Sequence, residues 1–451
     1  MAILTSLDAS IAGTVTRPGD PTWDSDRQAW NLTVNQNPLA VVSLADASDA
    51  VTTVRQAAAE GLAVTVQPRG HGAMPGAADG AVLIRTSALQ DITIDQPARV
   101  ARVGAGVRWG DLNARLDGTG LIGLAGTNPS VSVVGYLLGG GISWFGRNHG
   151  VASTSIRTVE LVTPAGEQVR VSAEHDPELF WALRGGGGDF GVVTAVELEL
   201  FEHPSIVGGQ LVFPIAAAAD VLEAFIELTS TAPTELTAFV NLVHFPPLPF
   251  IPEPVRGKSV VSLAVAYLGD ERELANRLRP VREVGPLVQD TVATVPVGQL
   301  GQIADEPVEP SSSLDYGALL SRFDRGTATR LLDVVGSRES TPLLVASVRH
   351  LDGAFSTGKP EGGVAADISE PYLLGAIGMV SDPGAVPAIE AGFRALDVGL
   401  GDGLVPRAPF NFLGSRPVTD AYQPQDIARL RAIKRERDPA NVIRSNRPVL
   451  G

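Results

Sequence analysis

Short apolar runs separated by polar turns dominate the first half of the chain, and their spacing sets the elements it predicts. Residues 38–44, Pro-Leu-Ala-Val-Val-Ser-Leu, form an apolar run of strand length. In residues 46–61, Asp46 or Ser48 can cap a helix, apolar residues recur at helical spacing, and Gly61 ends the run. Leu62-Ala-Val-Thr-Val-Gln67 is then a second strand. Strand, helix and strand with short connections predict a βαβ unit with a parallel pair. Shorter β-type runs follow at Val82-Leu-Ile-Arg, Ile92-Thr-Ile and Arg99-Val-Ala-Arg-Val-Gly, and Trp109-Gly-Asp-Leu-Asn-Ala-Arg-Leu opens a helix. Strict alternation in Ile156-Arg-Thr-Val-Glu-Leu-Val and Val192-Val-Thr-Ala-Val-Glu-Leu-Glu-Leu-Phe predicts half-buried strands.

After about residue 204 the glycine density falls and the texture changes. Helical stretches at 215–229, 271–279 and 326–335 mix with alternating strands at 259–267 and 344–350. This span reads as a second domain, an antiparallel sheet with helices on one face. Prolines at 246–254 mark an exposed loop whose apolar part, 243–251, hints at an apolar or aromatic substrate. The tail ends in a helix over 424–437, stopped by Asp438-Pro. The division expected is residues 1–204, 205–404 and a returning segment, 405–451.

Composition narrows the function. The 451 residues carry a net charge of −15, which argues against nucleic acid and against an anionic membrane surface. With no cysteine anywhere, thiolate nucleophiles, disulfides and zinc–thiolate sites are excluded, and no metal site is expected. Residues 1–8 lack a basic region followed by an apolar core, and no window nears the length of a membrane span, so a soluble cytoplasmic protein is expected.

Four glycine-rich loops at strand ends carry the candidate chemistry. They are Gln67-Pro-Arg-Gly-His-Gly-Ala-Met-Pro-Gly76, the run from Gly126-Thr-Asn-Pro to Gly139-Gly-Gly141, Gly150-Val-Ala-Ser-Thr-Ser155, and Arg184-Gly-Gly-Gly-Gly-Asp-Phe-Gly-Val-Val-Thr194. Glycine lets backbone amides crowd a ligand, and converging amides suit the oxygens of a pyrophosphate. None of the four is a dinucleotide fingerprint or a Walker loop. Between two of these glycines stands His71, readable either as a hydrogen-bonded loop histidine or as a neutral imidazole nucleophile towards a cofactor.

Residues 40–204, together with Asn411-Phe and the tail Asp438-Pro-Ala-Asn-Val-Ile-Arg-Ser-Asn446, resemble the berberine bridge enzyme-like oxidases of the vanillyl-alcohol-oxidase superfamily. The resemblance implies an α+β fold: a PCMH-type FAD-binding domain of two α/β subdomains, plus a substrate domain with an antiparallel sheet covered by helices. It implies a covalent bond from the flavin methyl group to His71. The family's second attachment is a cysteine preceding proline; Asn128 stands there before Pro129, so a single tether is implied. Cofactor contacts carried over are Pro68, Arg69, Gly70, His71, Gly72 and Gly76 in the first loop and Thr127, Asn128, Ser132, Gly135, Gly139, Gly140 and Gly141 in the second. Gly188, Gly191 and Val193 in the fourth loop, and Asn411 in the tail, complete the set.

The chain departs from the family in the residues that react. A tyrosine usually stands two residues before the tail asparagine, and here that position is Pro409. Val348-Arg-His-Leu-Asp-Gly-Ala resembles the family's flavin-facing strand, which makes His350 the first candidate base, with Tyr316 and Asp315, where the family often has a substrate-domain loop, behind it. The first loop has Pro68-Arg-Gly where Ser-Gly-Gly is commoner, Thr154-Ser155 replaces an Asp-Asn pair, and Asp189 stands where asparagine is frequent. The function implied is oxidation of a small organic substrate (an alcohol, an amine or a natural-product intermediate) by hydride transfer to FAD, with molecular oxygen as acceptor. A flavin-dependent cyclase or monooxygenase, and a dehydrogenase using another acceptor, share the same motifs.

Overall fold

The computed structural model describes residues 7–249, 251, 253, 255–359 and 361–450. The N-terminal residues 1–6 and, in the apolar loop, Phe250, Pro252 and Pro254 lie outside the described residues. Architecture is α+β, with two main sheets and a two-stranded ribbon (Leu121–Ile122 with Phe201–Glu202) in the N-terminal module and one large antiparallel sheet beyond it.

The first sheet grows from the βαβ pattern. Helix Ala47–Ala59 starts at Asp46, whose side chain accepts hydrogen bonds from the amides of Ser48 and Asp49, a cap worth about 1 kcal/mol. Strands Ala40–Ser43 and Val64–Val66 run parallel, as their connection predicts, but they are not paired with each other. Val82–Arg85 inserts between them and pairs in parallel with both. All four of its residues are buried, and a strand covered on both faces belongs at the centre of a parallel sheet.

The second sheet is antiparallel, in the order Ile92–Asp95, Val100–Gly104, Val192–Glu199, Ile156–Val162, Gln168–Val171. Its core takes Trp109, Leu112 and Leu116 from helix Trp109–Leu116 and continues through Val133, Leu137 and Trp144. The C-terminal helix Pro424–Arg437 adds Ile427, Leu430 and Ile433 to that same core, so the tail packs on the N-terminal module. Beyond the helix, the amide of Val64 donates to Val442 O and the amide of Arg444 to Val64 O, extending the edge of the first sheet.

The third sheet orders its main strands Val207–Pro214, Ser259–Tyr267, Leu236–His244, Val345–His350, Tyr372–Met379, Ser313–Leu320. Helices Ala218–Ser230, Glu271–Arg282, Arg325–Val335 and Val386–Leu400 bury Phe225, Leu278, Leu331 and Leu396 against one face. The opposite face meets the N-terminal module, where Phe239 stacks on Trp144 with ring centroids 4.3 Å apart. Successive strand residues alternate between these faces, so each side chain belongs either to the helix-covered core or to the junction. No described helix is long and apolar enough to cross a membrane.

Candidate active site

The first glycine loop leaves strand Val64–Val66 from a fixed base. Gln67 donates to Gln36 Oε1 at 2.6 Å and to Asn446 Oδ1 at 2.8 Å, joining the loop to the tail. Gly70 has φ +85°, and a Cβ there would stand 3.0 Å from the Ala29 side chain, so the turn requires glycine. His71 follows, its ring stacked on Trp30 at 4.1 Å between centroids.

A short relay fixes the proton on this histidine. The Asn128 amide is oriented by two backbone groups: Nδ2 donates to Pro307 O and Oδ1 accepts from the Ser130 amide. The Ser130 hydroxyl lies 2.7 Å from the same Oδ1, which only accepts, so the single hydroxyl hydrogen points there. His71 Nε2 lies 3.1 Å from that hydroxyl and must donate to it. The proton therefore sits on Nε2, and Nδ1 carries the lone pair. Burial, reinforced by the charge of Arg69, lowers the imidazole pKa to about 4, so the ring is neutral near pH 7.

Around His71 the backbone offers free donors. Among the described residues the amides of Gly70, His71 and Gly72 donate to no protein group, and neither does that of Thr127. A Cβ added at Gly72 or Gly76 would meet nothing within 4 Å, and at Gly188 only Ser445 at 3.8 Å. Unpaired amides beside open space, an orphaned buried Tyr136 hydroxyl and a neutral imidazole all fit the polar groups of a flavin dinucleotide. Pro68, Arg69 and Gly135 lie on accessible surface of the same loops.

Several residues carried over from the resemblance do other work. A Cβ at Gly191 would stand 2.5 Å from Leu161, so this glycine lets two strands pack, and Val193 is buried in the core beside it. Gly139 makes room for Asn411, whose Nδ2 donates to Tyr136 O at 3.0 Å. Gly141 yields to the Tyr136 ring, while Gly140 lies under Ala365. Ser132 spends its hydroxyl on Ala105 O at 3.1 Å and on capping the helix Val133–Leu138. Asp189 anchors the tail, accepting from the amides of Ser445 and Val449 at 2.8 and 2.6 Å.

The two candidate bases face the wrong way. His350 points into the helix-covered side, stacked on Tyr372, where Arg147 donates to its Nε2 at 2.9 Å. Burial and Arg147 push its pKa down to about 3, and its Nδ1 has no partner. Tyr316 belongs to the same core and donates to Asp397 Oδ1 at 2.6 Å. Neither lies on the sheet floor that faces the cleft, because strand alternation sends their even-numbered positions to the helix-covered side, where Arg147 of the N-terminal module caps the end of the strand at His350.

His350 instead makes stability depend on pH. Its folded pKa lies below the ordinary 6.5, so on acidification the unfolded chain takes up a proton that the folded one refuses. Stability is full above about 6.5 and falls as pH drops towards about 3, by up to roughly 1.4 kcal/mol per unit from this group. Denaturant unfolding between about pH 6 and pH 4 should show a shallower loss in His350→Gln than in the parent; equal slopes would contradict this account.

What the sheet turns to the junction is Ser347 and Arg349 on one strand, Gly375 on the next and Asp315 on the third. A Cβ on Gly375 would meet nothing within 4 Å, so space lies over this floor. Asp315 is accessible from the cleft yet enclosed by protein; this burial raises its pKa, against the pull of Ser313 and Arg447. Sequence spacing also separates His149 from His203, which the fold brings to 2.8 Å between Nε2 atoms. The described residues contain no cluster of metal-ligating side chains. His244 is held by Ser259 and Val335 O, inside the second domain.

A glycine-loop cradle with a neutral histidine, facing an antiparallel floor across a domain junction, defines an FAD-linked oxidoreductase. The model of an FAD binding domain matches residues 38–172. The chain is 28% identical over 466 residues to (R)-6-hydroxynicotine oxidase of Paenarthrobacter nicotinovorans, covering 97% of this chain and 96% of that protein. It is 34% identical over 229 residues to an FAD-dependent monooxygenase of Fusarium proliferatum, covering 50% of this chain but 43% of that one. The solved structure of a berberine bridge enzyme-like protein from Physcomitrella patens superposes with a TM-score of 0.86 at 18% identity, covering 99% of both chains. The chain therefore carries an FAD-binding domain in the fold of the berberine bridge enzyme-like proteins and is similar along its whole length to an FAD-dependent oxidase.

Proposed function

We propose that this oxidase holds its flavin by one covalent bond, from Nδ1 of His71, and oxidises a small organic substrate lying over the sheet floor with molecular oxygen as acceptor. The observation that carries the reading is the Asn128–Ser130–His71 relay. It holds the imidazole in one tautomer, with the free lone pair on a known nitrogen, while burial and Arg69 keep the ring neutral. Asn128 stands where bicovalent relatives have cysteine, which leaves His71 as the single tether. Bound here, FAD supplies the two-electron acceptor for a hydride from substrate.

The protein's own residues orient the reactants and move the proton. The amides of Gly70–Gly72 and of Thr127 are the donors available to the phosphate and ring oxygens of the cofactor. Asp315 is the carboxylate that the floor turns towards the cleft, and its raised proton affinity suits it to take the heteroatom proton as hydride leaves. Pro409, in the position where relatives carry tyrosine, has no proton to exchange. Substrates of the alcohol, amine and natural-product classes all present such a heteroatom.

Under air, purified protein should be yellow, and a substrate that bleaches the flavin should yield one peroxide per turnover. Rapid mixing of the reduced protein with oxygen measures the same step directly. Bleaching without peroxide, and slow reoxidation by oxygen, would assign the chain to a dehydrogenase.

A further inference from the structure

We propose that Arg349 is a subsite for an anionic group, a carboxylate, on the molecule this enzyme oxidises. The inference rests on the flavin reading above and adds the class of substrate. Arg349 lies on the junction face of strand Val345–His350, opposite Phe239 in the register of the neighbouring strand. Its guanidinium is sandwiched between two rings, 4.7 Å from the centroid of Phe239 and 5.1 Å from that of Phe412. Aromatic faces hold a guanidinium in place and leave its edge of N–H donors free.

Those donors have no protein acceptor. Arg349 makes no hydrogen bond and no ion pair among the described residues, and its Nε is buried. Nearly every arginine enclosed elsewhere in the molecule is matched: Arg147 reaches the carbonyls of Leu236 and Leu351, and Arg85 those of Gln28 and Gln67. One hydroxyl on this strand face is also orphaned: Ser347 Oγ, two residues away. Glu306 acts on the guanidinium from a distance without pairing to it.

An enclosed positive charge without a partner is costly, and a guanidinium, which only donates, selects a ligand group that accepts. A carboxylate fits: its two oxygens match the guanidinium fork, and a third bond can come from Ser347. A neutral alcohol or amide would leave the charge uncompensated. The fixed charge of arginine also means that recognition does not titrate near neutral pH.

The test is equilibrium binding of benzoate to the holoprotein, followed by calorimetry and by the flavin absorption band, with benzamide and benzyl alcohol as neutral controls. Benzoate should bind on the order of tenfold or more tighter than either control, with affinity nearly constant between about pH 6 and pH 9. Arg349→Met should lose on the order of tenfold or more in benzoate affinity and little for benzamide, and Arg349→Lys should recover part of the loss. Equal binding of benzoate and benzamide, or an unchanged affinity in Arg349→Met, would overturn the proposal. So would a parent that ignores benzoate while Arg349→Met shifts the flavin spectrum, since the guanidinium would then serve the cofactor. A colourless protein would instead count against the flavin reading, and calorimetry would still report on Arg349.

Discussion

Replacing His71 with alanine should move the flavin from the protein pellet to the supernatant on acid precipitation, from nearly all attached to none. The fold should survive, because His71 sits in a loop and contributes a stack on Trp30 rather than core packing. Ser130→Ala should give an intermediate result. Without the hydroxyl, Nε2 loses the acceptor that fixes its proton, the two neutral tautomers mix, and attachment slows while the nucleophile remains. Asn128→Ala should act in the same direction through Ser130. Attachment needs the neutral ring, and the pKa of about 4 means its rate should stay level above about pH 5 and fall as pH drops through about 4. Intact mass after reconstitution measures each case. Flavin that leaves the parent protein entirely in acid would defeat the tether.

Lys434→Met should destabilise the protein by about 3–5 kcal/mol, the usual cost of stranding one member of a buried ion pair. Lys434 and Asp438 are each 1% exposed, with Nζ 2.7 Å from Oδ2. The same ammonium donates to the carbonyls of Asp189 and Ile443, while Asp438 accepts from the amides of Val442 and Ile443. Four backbone groups of the tail and of the fourth glycine loop thus converge on one pair of charges. Losing the ammonium leaves the carboxylate uncompensated and loosens residues 438–446, including Asn446, which holds Gln67 at the base of the His71 loop. Amide exchange at Val442 and Ile443 should accelerate together with the drop in unfolding free energy. A shift below about 1 kcal/mol would show that the pair is solvated or dispensable. Flavin incorporation should fall alongside stability, since the loop base and the tail are one structure.

How much of this was legible beforehand follows the range of each interaction. The helix at 47–59 was readable because its cap, its apolar stripe and its stop are all local, and the glycine loops announced their positions for the same reason. Strand partners were not. Val82–Arg85 lies between the two strands that the βαβ pattern joins, and only the burial of all four of its side chains gives it that place. The tail motif was visible, but the burial of its Lys434–Asp438 pair was not, because the Asp189 carbonyl that encloses the ammonium lies 245 residues away.

For the site, the sequence by itself determined that a histidine stands among glycines at a strand end, that cysteine cannot join it, and that the usual tyrosine is absent. The tertiary structure alone decided which nitrogen of His71 is free, through partners 59 residues away, and which residues of the second domain meet the cleft. The strand over 345–350 shows the difference plainly. Its alternation is a local property and separates Ala346, Val348 and His350 from Ser347 and Arg349. Which set faces the cleft is fixed by pairing with strands Leu236–His244 and Tyr372–Met379 and by the helices that cover one side. A period of two defines two faces equally well, and only long-range packing breaks that symmetry: it buried His350 beside Arg147 and turned Arg349 to the junction.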